Sequence, residues 1–515
     1  MGLGVHNPSG RVLFIGLDMG DFTLIQKWSL EGFLPTFRSL MTEGISGTLK
    51  TTADALHTSS WPTIFTGTLP GKHGVYYPFQ PLPGRQQPEH IGPEQYGMPS
   101  FWQILDRAGK RCIVLDAPET FPATGFTGAQ IFEWGTWAWY WKRMTTPLEI
   151  ESQLMKKFGP YPLKLEAKRL GLGMPDLAYL HRQLIAGVAH KAQITKWLMH
   201  SRPWDLLAVV FAELHPGGHY LWPENTPRCQ DYSSRSVNLS ATQLREIYAA
   251  VDAAIGDIIK ECEDDVTIYI VSGDGVGPNH CGWHLLPQIL SRLGVTEASS
   301  STDSGNGRSR KSLLDHLRNA VPPRVRSEIQ SRLPWQFRHW LALRLMANID
   351  WSRTKAFTLP ADLEGCIRIN LCGREPQGIV EPGSQYEDIC AELTQALQEL
   401  LNPATGRAAV RRVCRIDHLF PGNLRDHLPD LTVIWNDEAE LREVYSDRLG
   451  LISEPSVDPR TGTHYPIGFL IARGPKVRSG RIQNGHIADF APTLLSTFGI
   501  NPPENMDGQL LEILQ

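Results

Sequence analysis

The sequence predicts an α/β fold in which a doubly wound, mostly parallel sheet is flanked by helices and carries helical cap insertions. Two observations predict it. Short apolar runs recur along the 515 residues without polar alternation, which is typical of strands covered on both faces. Most of them are trailed by helical periodicity, and this β/α rhythm indicates one core domain that spans residues 1–515.

The elements follow from these two patterns. The predicted strands are the apolar runs at 11–18, 111–118, 205–213, 266–275, 430–435 and 467–474. The predicted helices are the periodic segments at 29–43, 98–109, 241–262, 284–293, 384–401 and 488–498. Because ligands collect at the carboxyl ends of strands in open α/β sheets, we expect the functional site where these strands end.

Two segments interrupt the rhythm. Residues 134–200 are helical and rich in aromatic residues, and they are interpreted as a cap insertion. Residues 300–348 begin with the polar stretch "SSTDSGNGRSRKS" and then turn helical, which indicates a linker followed by a helical insertion.

Composition and charge narrow the class of protein. With 41% hydrophobic and 20% charged residues and a net charge of −4, the chain has an ordinary globular composition and no basic footprint for a nucleic acid polymer. Its eight cysteines include no Cys-x-x-Cys pair, as expected of free thiols in a reducing compartment. The sequence has no apolar run of signal-peptide or transmembrane length. We therefore expect a cytoplasmic protein that does not bind a membrane.

Candidate metal ligands stand at the ends of the predicted strands. Asp18 ends the first strand, and Asp274 ends the fourth in "IVSGDGVGPNH", where His280 follows. His215 and His219 follow the third strand in "VVFAELHPGGHYLW", and Glu213 lies two residues earlier. Each residue alone is as easily an N-cap or a surface side chain. Their recurrence at strand ends favours a metal site, with Glu213 orienting one imidazole ring.

A hydroxyl-rich loop precedes a short predicted helix at residues 52–74, "TADALHTSSWPTIFTGTLPGKHG". A threonine or serine at such a helix start is either an N-cap or a nucleophile whose hydroxyl is activated by a neighbouring metal. The second interpretation depends on metal ligands lying beside the loop.

These stretches together resemble the type I phosphodiesterase/nucleotide pyrophosphatase family of the alkaline phosphatase superfamily. "WPTIFTGTLPGKHG" is similar to the family's W-[TP]-[ST]-x-x-TG-x-x-P-x-x-HG, and "FAELHPGGHYLW" to its E-x-D-x-x-x-H-x-x-W. "IVSGDGVGPN" stands in the place of its S-D-H-G. "GTHYPIGFLIARGP" and "HIADFAPTLLSTFGINPPENMDG" match its last two motifs, so the resemblance extends from near residue 11 to near residue 508.

The resemblance implies an alkaline phosphatase-like core with two divalent metal ions, Zn²⁺ first and Mn²⁺ or Fe²⁺ as alternatives. The first site would contain His215, His219 and His464, and the second Asp18, Asp274 and the nucleophile. It further implies hydrolysis of phosphate esters, above all phosphodiester or nucleotide pyrophosphate bonds, through a phospho-enzyme intermediate. The expected partner is a small-molecule phosphate ester.

The chain departs from the family pattern in three places. His215 stands where the family has aspartate, and "SGDG" replaces "SDHG", so His280 is a candidate for the missing ligand. Counting back from Gly67 places His57 where the family has its nucleophilic hydroxyl. The predicted nucleophile is therefore Thr58, with Ser59 and Ser60 as alternates.

Three further residues are candidate substrate contacts. Trp134 and Trp137 in "EWGTW" would line a pocket, and Arg374 would clamp an anion, although core packing and an ion pair with a nearby glutamate explain them equally well. The alternative functions are phosphonate or sulfate-ester hydrolysis and, from the altered motifs, a degenerate member that binds a ligand without turnover.

Overall fold

A computed structural model describes residues 10–135, 143–163, 176–223, 239–298, 349–454, 458 and 460–514. The helices of these residues are, in chain order, α1 (Phe22–Leu30), α2 (Pro35–Glu43), α3 (Ser60–Thr66), α4 (Pro70–His73), α5 (Phe101–Arg107), α6 (Glu149–Phe158), α7 (Leu177–Ser201), α8 (Leu214–Leu221), α9 (Leu239–Ile259), α10 (Leu286–Arg292), α11 (Ser384–Gln398), α12 (Ile416–Leu419) and α13 (Phe490–Thr497).

The strands are numbered in the same way. They are β1 (Val12–Leu17), β2 (Ile45–Lys50), β3 (Phe79–Gln80), β4 (Glu89–His90), β5 (Cys112–Leu115), β6 (Ala129–Phe132), β7 (Met144–Thr146), β8 (Leu206–Phe211), β9 (Thr267–Ser272), β10 (Gly275–Pro278), β11 (Ala356–Thr358), β12 (Gly365–Ile369), β13 (Leu401–Asn402), β14 (Arg407–Ala408), β15 (Val410–Arg415), β16 (Leu431–Trp435), β17 (Glu443–Ser446), β18 (Gly450–Ser453), β19 (Gly462–Tyr465), β20 (Gly468–Arg473), β21 (Gly480–Arg481) and β22 (Gly485–His486).

The main sheet is mixed and mostly parallel, as the sequence predicts. Its strand order is β21-β2-β20-β9-β1-β8-β5-β6-β7, and β22 also pairs with β2. The centre is parallel, because β1 pairs in parallel with β8 and β9, and β5 pairs in parallel with β8 and β6. Side chains of β1 alternate between two hydrophobic clusters, one on each face, and this double coverage explains the continuous apolar runs.

The structure corrects the direction of two predicted strands. The run at 467–474 becomes β20, which lies in the main sheet but runs antiparallel to β9 and β2. The run at 430–435 becomes β16, which belongs to a separate antiparallel sheet of order β11-β12-β16-β15. Continuous hydrophobicity reports that both faces of a strand are covered, and it carries no information on strand direction.

Two helical predictions also change. The predicted helix 29–43 is two helices, since α1 ends before Gly32 at a φ of +87° and α2 begins at Pro35. The described part of the predicted cap at 134–200 contains α6, α7 and the edge strand β7. Helix α7 packs its buried residues into the core on one face of the main sheet, so it covers the sheet. The predicted linker and helical insertion at 300–348 lie outside the described residues.

A buried ionic cluster fixes α7 to the main sheet. The Lys191 ammonium lies 2.9 Å from Asp116 Oδ2 and 3.2 Å from Glu213 Oε1, and it donates a 2.7 Å hydrogen bond to the Val210 carbonyl. Burial opposes the charge, but the two carboxylates outweigh it and raise the pKa of Lys191. The cluster stands directly before α8, so it positions the start of that helix.

Replacing Lys191 by methionine is expected to destabilise the protein by about 3–5 kcal/mol, because two buried carboxylates lose their only shared cation. Urea unfolding followed by circular dichroism measures the change in the free energy of unfolding. Lys260→Met is the matched control, since the Lys260–Asp257 pair is exposed and screened by solvent. Equal small losses in both variants would contradict a stabilising role of the buried cluster.

Candidate metal centre

Four chain segments meet at the carboxyl edge of the parallel strands. Asp18 directly follows β1, Asp274 lies two residues after β9, and α8 begins three residues after β8. The fourth segment is β19, whose antiparallel pairing with β10 sets His464 opposite Val276. Residues more than 400 positions apart in the chain therefore share one site.

The segment after β8 is the helix α8. His215 and His219 lie on α8 at a spacing of four residues, which places both imidazoles on one face. Gly462 on β19 allows close packing against this helix, because a Cβ at Gly462 would lie 2.1 Å from the Gly218 carbonyl oxygen. Strand β19 can therefore lie directly against α8.

Three imidazoles form the first candidate metal site. Ligand atoms of His215, His219 and His464 all lie within 4.8 Å of one another. His219 donates its Nδ1 proton to the Gly462 carbonyl at 2.8 Å, which leaves its Nε2 as an electron-pair donor, and His215 Nε2 lies 2.9 Å away. This donor set fits a divalent metal ion, and imidazole nitrogen favours Zn²⁺.

The two carboxylates predicted for the second metal site contact these imidazoles. Asp18 Oδ2 lies 2.9 Å from His215 Nδ1, while Asp18 Oδ1 accepts a 2.8 Å hydrogen bond from Trp61 Nε1. Asp274 Oδ2 lies 2.6 Å from His464 Nδ1. Burial and the nearby charge of Asp18 raise the pKa of Asp274 to about 7. Burial opposes ionisation of Asp18 as well, but His215 and Trp61 outweigh it and lower its pKa.

A second group of ligand atoms includes a residue that the sequence analysis missed. His57, Asp362 and His464 also lie within 4.8 Å of one another, so His464 belongs to both groups. Arg460 Nη1 donates to Asp362 Oδ1 at 2.6 Å. Burial opposes ionisation of Asp362, but Arg460 and the imidazoles outweigh it and lower its pKa. No local pattern around "PADLEG" marks Asp362 as a ligand.

His57 occupies the start of the hydroxyl-rich loop. Its Nδ1 lies 2.9 Å from Glu364 Oε1, and its ring stacks on His464 at a centroid distance of 4.1 Å. Burial opposes its charge, but Glu364, Asp362 and Asp274 outweigh it and raise the pKa of His57 to about 9. The protonated form of the ring is therefore favoured at neutral pH when no metal ion is bound.

The three candidate nucleophiles differ in what holds their hydroxyls. Thr58 Oγ1 lies 3.2 Å from His57 Nε2, and Thr58 lines the cavity of the site. Ser59 Oγ bonds to the Leu56 carbonyl at 2.6 Å and to Thr52 Oγ1, and its side chain is fully buried. Ser60 Oγ lies 3.4 Å from Thr51 Oγ1. Neither serine lines that cavity.

Close packing explains why glycine fits at position 273 of the altered "SGDG" motif. A Cβ built at Gly273 would lie 2.5 Å from Ser60 Cβ. Gly273 therefore packs directly against Ser60 of the hydroxyl-rich segment, and a side chain at position 273 would displace that segment.

Glu119 is a second residue that the sequence analysis missed. Its side chain is 7% exposed, it lines the same cavity, and Oε2 has no hydrogen-bond partner among the described residues. Its backbone adopts a positive φ of 59°, which is uncommon for a residue other than glycine. Burial, together with Asp18 and Asp274, raises its pKa well above the usual value.

Replacing Glu119 by glutamine is expected to stabilise the metal-free protein by about 1–3 kcal/mol at pH 8 and by much less at pH 4. The folded-state pKa of Glu119 is raised. The stability of wild type is therefore complete below the unfolded-state pKa and falls as pH rises through the folded-state pKa. Urea unfolding in chelator at both pH values measures the difference. A gain that is independent of pH would contradict this ionisation.

These groups surround one cavity of about 140 Å³. Its lining includes acidic, imidazole and aromatic side chains and consists of Asp18, His57, Thr58, Trp61, Tyr77, Pro78, Phe79, Glu119, His215, His219, Asp274, Asp362, Arg460 and His464.

The remaining sequence candidates lie elsewhere. His280 belongs to neither ligand group, and its Nδ1 lies 2.7 Å from the Asp437 carbonyl. Trp134 is buried in the core, where its Nε1 donates to His190 Nε2 at 3.2 Å. Arg374 binds Asp430 through both terminal nitrogens, so its charge is already paired. Trp137 lies outside the described residues.

The Glu213 carboxylate does not orient a histidine ring. It accepts a 2.7 Å hydrogen bond from Tyr161 and pairs with Lys191. Asp18 and the Gly462 carbonyl perform the orienting role instead.

No helix in the described part of the chain has the length and apolar content that crossing a bilayer requires.

Comparison with known proteins places this site in context. The family model of type I phosphodiesterase / nucleotide pyrophosphatase matches residues 12–458. No curated protein matches the sequence.

Solved structures with similar folds include an alkaline phosphatase and ectonucleotide pyrophosphatase / phosphodiesterases. A variant of the alkaline phosphatase PafA aligns over 98% of this chain and 99% of its own, at 13% identity and a TM-score of 0.53. Human ectonucleotide pyrophosphatase / phosphodiesterase 5 aligns over 98% and 100%, at 12% identity and a TM-score of 0.51. The murine protein aligns over 96% and 97%, at 12% identity and a TM-score of 0.50. At these identities the likeness establishes the alkaline phosphatase-like fold.

Proposed function

The chain belongs to the type I phosphodiesterase / nucleotide pyrophosphatase family of hydrolases, and we propose that it cleaves phosphodiester or nucleotide pyrophosphate bonds with Thr58 as nucleophile. One observation carries the proposal. Thr58 lines the same cavity as the imidazole group of His215, His219 and His464. A hydroxyl beside a candidate metal centre is the arrangement that covalent phosphoryl transfer requires.

Each part of the cavity has a role in this reaction. His215, His219 and His464 would hold one metal ion, and His57 and Asp362 with His464 offer ligands for a second. Bound divalent ions supply positive charge that stabilises phosphoryl oxygens and favours the alkoxide form of a hydroxyl. His57 would have to lose its ring proton to serve as a ligand, since only a neutral imidazole binds a metal ion.

The proposed reaction proceeds in two steps. Thr58 Oγ1 attacks phosphorus and loses its proton, and the bond from phosphorus to the leaving alcohol oxygen breaks. Water then attacks the phosphothreonine, the bond from phosphorus to Oγ1 breaks, and the threonine hydroxyl is regenerated. The overall reaction consumes one water and releases an alcohol and a phosphate monoester.

The experiment that tests this function combines elemental analysis of protein purified without chelator with hydrolysis of bis-p-nitrophenyl phosphate in added Zn²⁺ or Mn²⁺. We expect about two metal ions per chain and metal-dependent release of p-nitrophenolate. Turnover of a sulfate or phosphonate ester alone would replace the phosphodiesterase assignment by that sister activity. Absence of turnover on all of these esters would leave a ligand-binding protein on a hydrolase fold.

We propose a reducing compartment, such as the cytoplasm, as the site of action. All seven cysteines in the described part of the chain are free thiols, and four of them are buried. Titration with a thiol reagent in denaturant, before and after reduction, tests this proposal, and an increase after reduction would contradict it.

A further inference from the structure

A second cavity adjoins the metal centre. Its volume is about 110 Å³, and it shares His57 and His464 with the first cavity, so these two stacked rings form the wall between them. On its other side it is bounded by β16, including Trp435, and by the loop that carries Glu364. A volume of this size holds several water-sized groups, which is enough for a glyceryl or sugar substituent.

Two buried polar atoms in this lining have no hydrogen-bond partner among the described residues. They are Trp435 Nε1, on a side chain that is 7% exposed, and Glu364 Oε2. An indole N–H normally finds an acceptor when it is buried. An unsatisfied buried donor or acceptor costs about 1–3 kcal/mol. The residues that line this cavity thus include one hydrogen-bond donor and one acceptor that the protein itself leaves unused.

Glu364 is held in this position by the metal centre. Its other carboxylate oxygen, Oε1, accepts hydrogen bonds from the His57 backbone N–H at 2.5 Å and from His57 Nδ1 at 2.9 Å. Because Oε1 is engaged on His57, the free oxygen remains fixed and cannot turn to another partner. A group bound at Oε2 would therefore lie close to the phosphoryl position beside Thr58.

We propose that this second cavity is a subsite for a hydroxylated substituent of a phosphodiester, in which Trp435 Nε1 donates to a substituent oxygen and Glu364 Oε2 accepts from a substituent hydroxyl. The proposal rests on the function given above. A diester carries two organic groups on one phosphorus, and the two adjoining cavities offer a place for each. The donor and acceptor pair selects a polyol over an alkyl group of similar size.

The kinetic test compares two diesters that release the same leaving group, glyceryl p-nitrophenyl phosphate and ethyl p-nitrophenyl phosphate. We expect wild type to favour the glyceryl ester by about tenfold in kcat/KM, because it satisfies both buried atoms. Trp435→Phe removes the hydrogen-bond donor and keeps an aromatic ring. The ratio of kcat/KM for the glyceryl ester to that for the ethyl ester should therefore fall toward one. Trp204→Phe is the matched control, since Trp204 lies at the opposite edge of the sheet, before β8, and the ratio should persist. No preference in wild type, or a preference that survives in Trp435→Phe, would overturn the subsite.

A binding readout separates failure of the subsite from failure of the hydrolase. In ¹⁵N-labelled protein the Trp435 indole resonance is identified by its loss in Trp435→Phe. Glycerol 1-phosphate should shift this resonance and ethyl phosphate should not. If neither diester is hydrolysed but the shift occurs, the subsite holds and the catalytic proposal fails. An indole resonance unmoved by glycerol 1-phosphate would show that the cavity holds water only, and it would overturn the subsite whatever the turnover.

Discussion

Alanine in place of Thr58 is expected to lower kcat for bis-p-nitrophenyl phosphate by about 10³-fold or more, the range seen when a catalytic nucleophile is removed. The reason is geometric. Of the three neighbouring hydroxyls, Thr58 alone lines the cavity with the imidazole group, while Ser59 is fully buried against the Leu56 carbonyl. Thr58→Ser keeps an attacking oxygen and should stay within about tenfold of wild type.

Three measurements accompany this prediction. Elemental analysis should show that Thr58→Ala still binds metal, because the imidazole and carboxylate ligand groups are unchanged in it. Mass spectrometry after acid quenching should find a phosphorylated peptide containing residue 58 in wild type and not in Thr58→Ala. Thr42→Ala, an exposed position on α2, is the control for threonine replacement. Full activity in Thr58→Ala together with a dead Ser59→Ala or Ser60→Ala would move the nucleophile to that serine.

Alanine in place of His464 is expected to remove both metal ions and to reduce diester hydrolysis to background. His464 belongs to both ligand groups, and no other residue of the described chain is shared between them. Its loss also leaves Asp274 without the imidazole that lies 2.6 Å from its carboxylate. A single substitution therefore damages both sites at once.

A variant of His219 is expected to lose less metal than the His464 variant. His219 belongs to the first ligand group only, so His219→Ala should retain more metal than His464→Ala. Elemental analysis and Zn²⁺ titration measure both variants, with the exposed His200→Ala as the control for histidine removal. Full metal content in His464→Ala would contradict the shared-ligand arrangement. Equal loss in both variants would indicate one metal site in place of two.

The location of the core strands in the chain, and the edge of the sheet at which their polar residues converge, follow from the sequence. The apolar runs at 11–18, 205–213 and 266–275 became β1, β8 and β9, the parallel centre of the main sheet. Because parallel strands end at the same edge, the polar residues behind them converge, and Asp18, His215 and Asp274 do line one cavity.

Other features depended on contacts between distant segments. The direction of β16 and β20 was decided by pairing partners, since burial on both faces gives the same apolar run in either direction. Asp362 reaches the centre from a loop before β12, about 140 residues after His219 in the chain. Glu119 stands in a loop after β5 with no periodic pattern to mark it.

The sequence by itself determined part of the composition of the site: strand-ending carboxylates, a His-x₃-His pair and a run of three hydroxyls. The tertiary structure decided which of these groups face each other. Only the fold shows that Ser59 is tied to its own backbone while Thr58 lines the cavity, and that His57 and Asp362 join His464. The physical reason is that a sequence pattern reports local periodicity and burial, whereas the direction of a loop side chain is fixed by whatever packs against it from elsewhere in the chain.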